Sequence, residues 1–275
     1  AVGGQHVGAE VEEAQFLNVN KAAVDRILNS NLKTLEVTLP LETGAAANLK
    51  LSEYNILTDN AIISMMTNEG EKTFTGKIPF RCFKGVYNND ASSLAVICIS
   101  EYFVKGILLT ENSSYTLSTF GDKSLSENCV LYQDSKLKIK NDFHCGSEAF
   151  AIPEKIKTQM QNLSAENVSN TFLQANIALE IDKITYATYG SSVPNASAAS
   201  LALLSVASAI YNRDINVKLN VPYIHVWTTT DPYTGTTSGA LLGQFVDHWN
   251  ANFSSVNRTL AHFLTRRTGG LGGIA

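Results

Sequence analysis

Five histidines, four cysteines and a few carboxylates are the side chains of this 275-residue sequence best suited to chemistry. A catalytic zinc site needs two histidines one helical turn apart, a third ligand, and a glutamate to polarise the bound water. His6, His144, His225, His248 and His262 contain no such pair, and no H-E-x-x-H occurs. His225 alternates with apolar residues in Tyr223-Ile224-His225-Val226-Trp227, and His262 falls in a helix-like segment. Both read as surface or internally satisfied groups, not as ligands. Without a G-x-S-x-G, a serine-hydrolase reading has no anchor. Glu180 and Asp182 point to one strand face, but a carboxylate pair alone does not make a glycosidase. The glycines between Gly269 and Gly273 lack the strand before and the helix after that a dinucleotide loop requires.

Cys82, Cys98, Cys129 and Cys145 all lie in the first 145 residues, with no C-x-x-C spacing. An even count confined to one region fits disulfides in an oxidising compartment. Four buried free thiols in a reducing compartment are the alternative. Sequons at Asn112, Asn162, Asn167, Asn195, Asn252 and Asn257 point the same way, towards a secreted protein. The start AVGGQ is what a removed leader or a trimmed chain would leave. Arg266-Arg267 offers a processing site for a basic-specific protease or, more simply, a solvated helix end.

The residues are 44% hydrophobic and 17% charged, with a formal net charge of −4. That supports a packed core. No basic stripe marks a nucleic-acid partner. The most apolar run, Ala196 to Tyr211, falls short of the roughly 20 residues of a membrane span and is interrupted by serines.

These residues sit in two differently patterned halves. Between Leu35 and Tyr132 the text is strand-like: Leu35-Glu36-Val37-Thr38-Leu39 alternates, and Ser93–Ser100 and Tyr102–Thr110 are β-rich. Asn88-Asn89-Asp90 and Glu111-Asn112-Ser113-Ser114 are turn chemistry between such runs. A helix is expected over 21–30. Residues 150–169 read as an exposed connector. From Thr171 strands and helices alternate: a strand over 172–181, a helix over 198–212, a strand over 215–227 and a helix over 241–255. The fold class expected is an α+β unit with an antiparallel sheet, then an α/β unit whose mixed sheet is covered by helices.

The second half resembles the N-terminal subdomain of reprolysin (adamalysin)-type metzincins. "ANIALEIDKITYATYG" is similar to their first strand, and "AIYNRDINVKLNVPYIHVWTT" to the following helix-to-strand passage. "LLGQFVDHWNANFSSVNRTLAHFLT" resembles their second long helix and the Ala-x-Leu-Leu-Thr-type segment after it. The final "GGLGGIA" is similar to the start of their edge strand. Upstream, "LPLETG", "FTGKI" and "NDASSLAVICIS" resemble pro-regions of secreted members.

The resemblance implies a pro-region over 1–150, a connector over 151–170, and over 171–275 the first part of a catalytic domain. The family's zinc motif, H-E-x-x-H-x-x-G-x-x-H, is expected downstream of Ala275. The parent is then a zinc-dependent endopeptidase acting on protein or peptide substrates, and this chain has no catalytic residues, metal ligands or activity of its own. Cys145, in Phe143-His144-Cys145-Gly146, matches the Cys-Gly whose thiolate closes the zinc in latent members. The competing reading is structural pairing, for example Cys129 with Cys145 and Cys82 with Cys98. Gly272, Gly273, Ile274 and Ala275 would begin the strand that lines the substrate cleft. Where many reprolysins place a calcium-binding Asp, two residues before Ala261, this chain has Thr259, so calcium is not expected. Contact between the two halves is expected, because the sheet lacks its usual cover. The alternative function is a non-enzymatic extracellular protein that binds or self-assembles through its C-terminal edge strand.

Overall fold

The computed structural model describes residues 5–7, 11–41, 44, 46–119, 128–138, 172–269 and 271–274. The expected connector over 151–170 lies outside them.

Two sheets organise the described residues. The first has nine strands in the order β1-β2-β11-β10-β9-β8-β7-β4-β3. They are β1 (Gln5–Val7), β2 (Val11–Asn18), β3 (Thr34–Pro40), β4 (Ala46–Glu53), β7 (Phe80–Tyr87), β8 (Asp90–Ser100), β9 (Val104–Leu109), β10 (Ser114–Thr119) and β11 (Asn128–Gln133). Every pairing in this sheet is antiparallel. The β7–β8 hairpin turns on Asn88 and Asn89, whose φ values of 47° and 61° give the left-handed pair that a two-residue loop requires.

The second sheet runs β14-β12-β13-β5-β6, with β5 (Leu57–Thr67), β6 (Gly70–Thr73), β12 (Leu173–Ile181), β13 (Val217–Trp227) and β14 (Leu260–Leu264). Strands β14, β12, β13 and β5 are mutually parallel, and β6 pairs antiparallel at the edge. The hairpin over 57–73 therefore leaves the strand-rich first half and joins a sheet otherwise built from residues after 171. His262 lies in β14, so the helix-like reading of that segment is corrected. Its five residues take strand pairing from Ile177–Ile181.

Among the described residues four α-helices complete the layers: α1 (Lys21–Leu28), α2 (Lys183–Thr188), α3 (Val193–Ile215) and α4 (Ser238–Asn252). Side-chain caps open each one. Asn20, Asp182, Ser192 and Thr237 accept from backbone N–H groups three residues on, satisfying donors that a helix start leaves free. At 23 residues α3 is longer than the apolar run suggested, and by length and composition it matches a membrane span. Here it is the central layer. Val193, Ala196, Leu201 and Leu204 pack on Leu179, Ile181, Ile224 and Val226 of the second sheet. Ala198, Ala199, Ala202 and Ala209 pack on Cys82, Val96 and Cys98 of the first. Small side chains on that flank let helix and sheet approach closely. Ser208 adds a polar tie: its Oγ lies 2.8 Å from the Tyr54 hydroxyl and accepts from Leu219 N at 2.9 Å. Helix α1 covers the outer face of the first sheet through Val24 and Leu28. Helix α4 covers the outer face of the second through Leu241, Phe245 and Trp249.

Candidate functional site

Register places Ser64 of β5, His225 of β13, Glu180 of β12 and Phe263 of β14 in one row across the second sheet. Neighbours in register point to the same face, and this is the face that α4 covers. Glu180 and His225 have no solvent exposure. Glu180 Oε1 accepts from Trp227 Nε1 at 2.6 Å and Tyr233 OH at 2.5 Å, and Oε2 accepts from Trp249 Nε1. Burial raises the carboxyl to a pKa of about 7, and the three donors oppose that rise. A carboxyl that titrates there has the right pKa for proton transfer. Its two oxygens are taken up by two indoles and a phenol.

The neighbouring group is closer to a catalytic constellation. His225 Nδ1 lies 2.6 Å from Ser64 Oγ and 3.4 Å from Glu71 Oε1, and Tyr223 OH donates to Glu71 Oε1 at 2.9 Å. A nucleophile–base–acid chain needs the hydroxyl on one ring nitrogen and the acid on the other. Here both meet Nδ1, Nε2 has no partner, and Ser64 is 4% exposed. The arrangement therefore departs from a nucleophile–base–acid chain. Burial pulls the imidazole down to a pKa of about 4, although Glu71 pulls the other way.

A second polar cluster lies past the ends of β12, β13 and β14. Asp182 accepts from Thr185 N (2.7 Å), Thr265 Oγ1 (2.6 Å) and Arg267 Nε (3.2 Å). Arg267 also donates to Asp231 Oδ1 at 2.5 Å and to the Tyr233 carbonyl at 2.7 Å. Arg267 is thus the counter-charge of two buried carboxylates, with a side chain only 17% exposed. The solvated-helix-end reading of Arg266-Arg267 is corrected for Arg267, while Arg266 stays exposed. Glu180 and Asp182 are committed to different partners and form no paired acid and nucleophile.

Among the described residues no three or more His, Cys, Asp or Glu side chains group to hold a metal ion. The described residues alone do not make up a catalytic zinc site, and no step through zinc follows from them. Thr259, at the position compared with a calcium ligand, is bonded to Asn176 through both its backbone N–H (2.7 Å) and its hydroxyl (3.0 Å).

The remaining sequence candidates are placed as follows. Cys82 and Cys98, directly opposed on β7 and β8, form a disulfide with Cα atoms 4.0 Å apart. Cys129 keeps a free, buried thiol, pushed up to about 12 by burial. Cys145 lies outside the described residues, as does Ala275. Gly272, Gly273 and Ile274 are in no strand, and Gly272 is tied at both its N–H (3.0 Å) and carbonyl (2.8 Å) to Ser238 Oγ at the start of α4. Of the sequons, Asn195 is 6% exposed within the first turn of α3 and offers no glycan acceptor, whereas Asn112, Asn252 and Asn257 are exposed. Missed in the sequence were the Glu180 donors and Arg267. One signal was present: a buried Trp or Tyr needs an acceptor, and Glu180 interrupts an otherwise apolar strand.

Comparison with known proteins gives one family. Residues 197–275 match the family described as "Metallo-peptidase family M12B Reprolysin-like". No curated protein gives a significant match. Among solved structures, metalloproteinase-II from Bacteroides fragilis aligns at 10% identity over 83% of this chain, with a TM-score of 0.36. The chain spans 62% of that protein, and a likeness this loose carries no argument. The family match covers residues 197–275, a segment within the part of the chain whose strand and helix text resembles that family.

Proposed function

We propose that this chain is part of a secreted zinc-dependent endopeptidase of the reprolysin-like group, in a latent form. Residues 1–150 are then the pro-region, 151–170 the connector, and 171–275 the first part of the catalytic domain. The observation that carries the reading is the family match over 197–275, the segment that holds β13, α4 and β14. Zinc belongs to the full-length enzyme, where it activates water against the carbonyl of a protein or peptide substrate. In this reading the 275 residues, which contain no H-E-x-x-H, do not cleave peptides by themselves. Pairing of β5 with β13, and packing of both sheets on α3, join the proposed pro-region to the proposed catalytic part. Cys145 is either the latency ligand or a structural cysteine in this scheme.

The test is zinc content and peptide hydrolysis, measured for this polypeptide beside a longer product of the same gene. Chelator-sensitive hydrolysis is expected only from the longer product. The same activity from the 275 residues alone, or a longer reading frame without H-E-x-x-H, overturns the proposal.

A second reading is a non-enzymatic binding or self-assembling protein. It is favoured by β14, which ends the second sheet with no described strand on its outer side. Such an edge recruits another chain by strand addition. Light scattering that stays monomeric at high concentration counts against it.

A further inference from the structure

The hydrogen bonds around His225 fix where its ring proton sits. Tyr223 OH donates to Glu71 Oε1 at 2.9 Å, so the phenol oxygen takes the Ser64 hydroxyl proton across 2.7 Å. Ser64 Oγ then accepts from His225 Nδ1–H across 2.6 Å. His225 Nε2 is left with a bare lone pair, buried and without a partner.

On α4 the neighbouring imidazole is fixed the other way round. Asn252 Nδ2 donates to the His248 carbonyl at 2.9 Å, which settles which end of the amide is nitrogen. The same nitrogen lies 3.2 Å from His248 Nδ1, so Nδ1 accepts and the proton is on Nε2. That N–H is also buried and unpartnered. Both rings pack on Trp227 (centroids 5.0 and 5.5 Å) and on Phe253 (4.9 and 5.7 Å).

We propose that His225 is an acid-triggered latch beneath α4, and that a proton on its Nε2 lifts α4 from the second sheet. A second N–H on this ring has no acceptor in the closed state. The His248 Nε2–H is itself a donor, and the Trp227 and Trp249 N–H groups are both spent on Glu180. The hairpin side tolerates the charge, because Ser64 accepts from Nδ1–H in either state and the Glu71 carboxylate gains from a cation at 3.4 Å. Only α4 offers nothing but a donor and apolar rings, so α4 is the element that must leave for water to reach the imidazolium. Burial, which already holds this ring to a pKa of about 4, is the same penalty in another form.

The titratable groups around His225 are Glu71 on β6, Tyr223 on its own strand, Glu180 on β12 and His248 on α4. Arg258 stacks over Trp249 at 4.8 Å from the ring centre. Glu180 responds in the opposite sense, since acid neutralises it. For His225 the folded pKa is depressed below 6.5, so its contribution is full above pH 6.5 and is lost as pH falls towards 4.

Trp227 and Trp249 are the two tryptophans of the chain, and both border this site. In the whole polypeptide, acidification from pH 7 to 4 is expected to red-shift their emission. Amide exchange should rise at least tenfold in 238–252 while 193–215 stays protected. His225→Gln, neutral at every pH, should abolish the shift, and Glu180→Gln should retain it. Should the first variant not fold, the order of exchange in the wild type decides. The proposal is overturned if 57–73 opens before 238–252, if emission does not move, or if Glu180→Gln removes the transition.

Discussion

Glu180 on β12 and His225 on β13 are direct register partners without solvent exposure, and burial moves their protonation in opposite directions. The carboxyl rises to about 7 and the imidazole falls to about 4, because a low-dielectric site disfavours charge of either sign. Two neutral groups side by side are the consequence in mildly acidic solution.

For Glu180 the folded pKa exceeds the unfolded value of 4.5, so the stability it contributes is full below pH 4.5 and is lost as pH rises through 7. The shift corresponds to roughly 3 kcal/mol. Urea unfolding of wild type and Glu180→Gln across pH 4.5–8 is expected to show the wild-type advantage shrinking with rising pH. A constant difference would rule out a raised carboxyl.

Arg267→Ala leaves Asp182 and Asp231 as buried carboxylates without their counter-charge. The expected loss is about 3–5 kcal/mol, seen as a lower midpoint in denaturant. Arg266→Ala, at an exposed site, should stay within about 0.5 kcal/mol. Equal effects from the two would remove Arg267 from its bridging role.

Thiol labelling separates the described cysteines. Cys129, buried with its thiol pushed up to about 12, is expected to resist an alkylating reagent in the native protein and to react once unfolded. Cys82 and Cys98 should react only after reduction. Rapid native labelling of Cys129 would contradict its burial.

Gly85 lies where β7 passes β4, and a Cβ there would stand 1.9 Å from the Lys50 carbonyl oxygen and 2.9 Å from Leu51 Cα. Both are backbone atoms and cannot swing aside. Gly85→Ala is expected to cost about 1–3 kcal/mol through strain, while Gly239→Ala, with open space around its Cβ, should be tolerated. A thermal melt of each variant checks the contrast.

Much of the local structure is fixed by the chain's own text. Alternation in Leu35–Leu39 selects a strand with one apolar face, the apolar and aromatic run ending Val217–Trp227 selects a strand buried on both faces, and Asn88-Asn89 selects the hairpin between β7 and β8. Alanines and serines over 196–209 specify a helix that a sheet can approach closely, which is how α3 lies between two of them. What tertiary structure alone decided is partnership. Parallel pairing carries no turn signature, so nothing local in Leu57–Thr67 foretells that it joins β13, some 160 positions onward, rather than the antiparallel sheet around it. Leu260–Leu264 has apolar residues that suit a helix as well as a strand, and the free edge of β12 chose for it. Likewise Arg267 becomes a buried counter-ion only because the ends of three strands converge on Asp182 and Asp231. Side-chain periodicity reports which face is apolar, whereas the cost of an unpaired strand edge or an unpaired charge is set by groups far away in sequence.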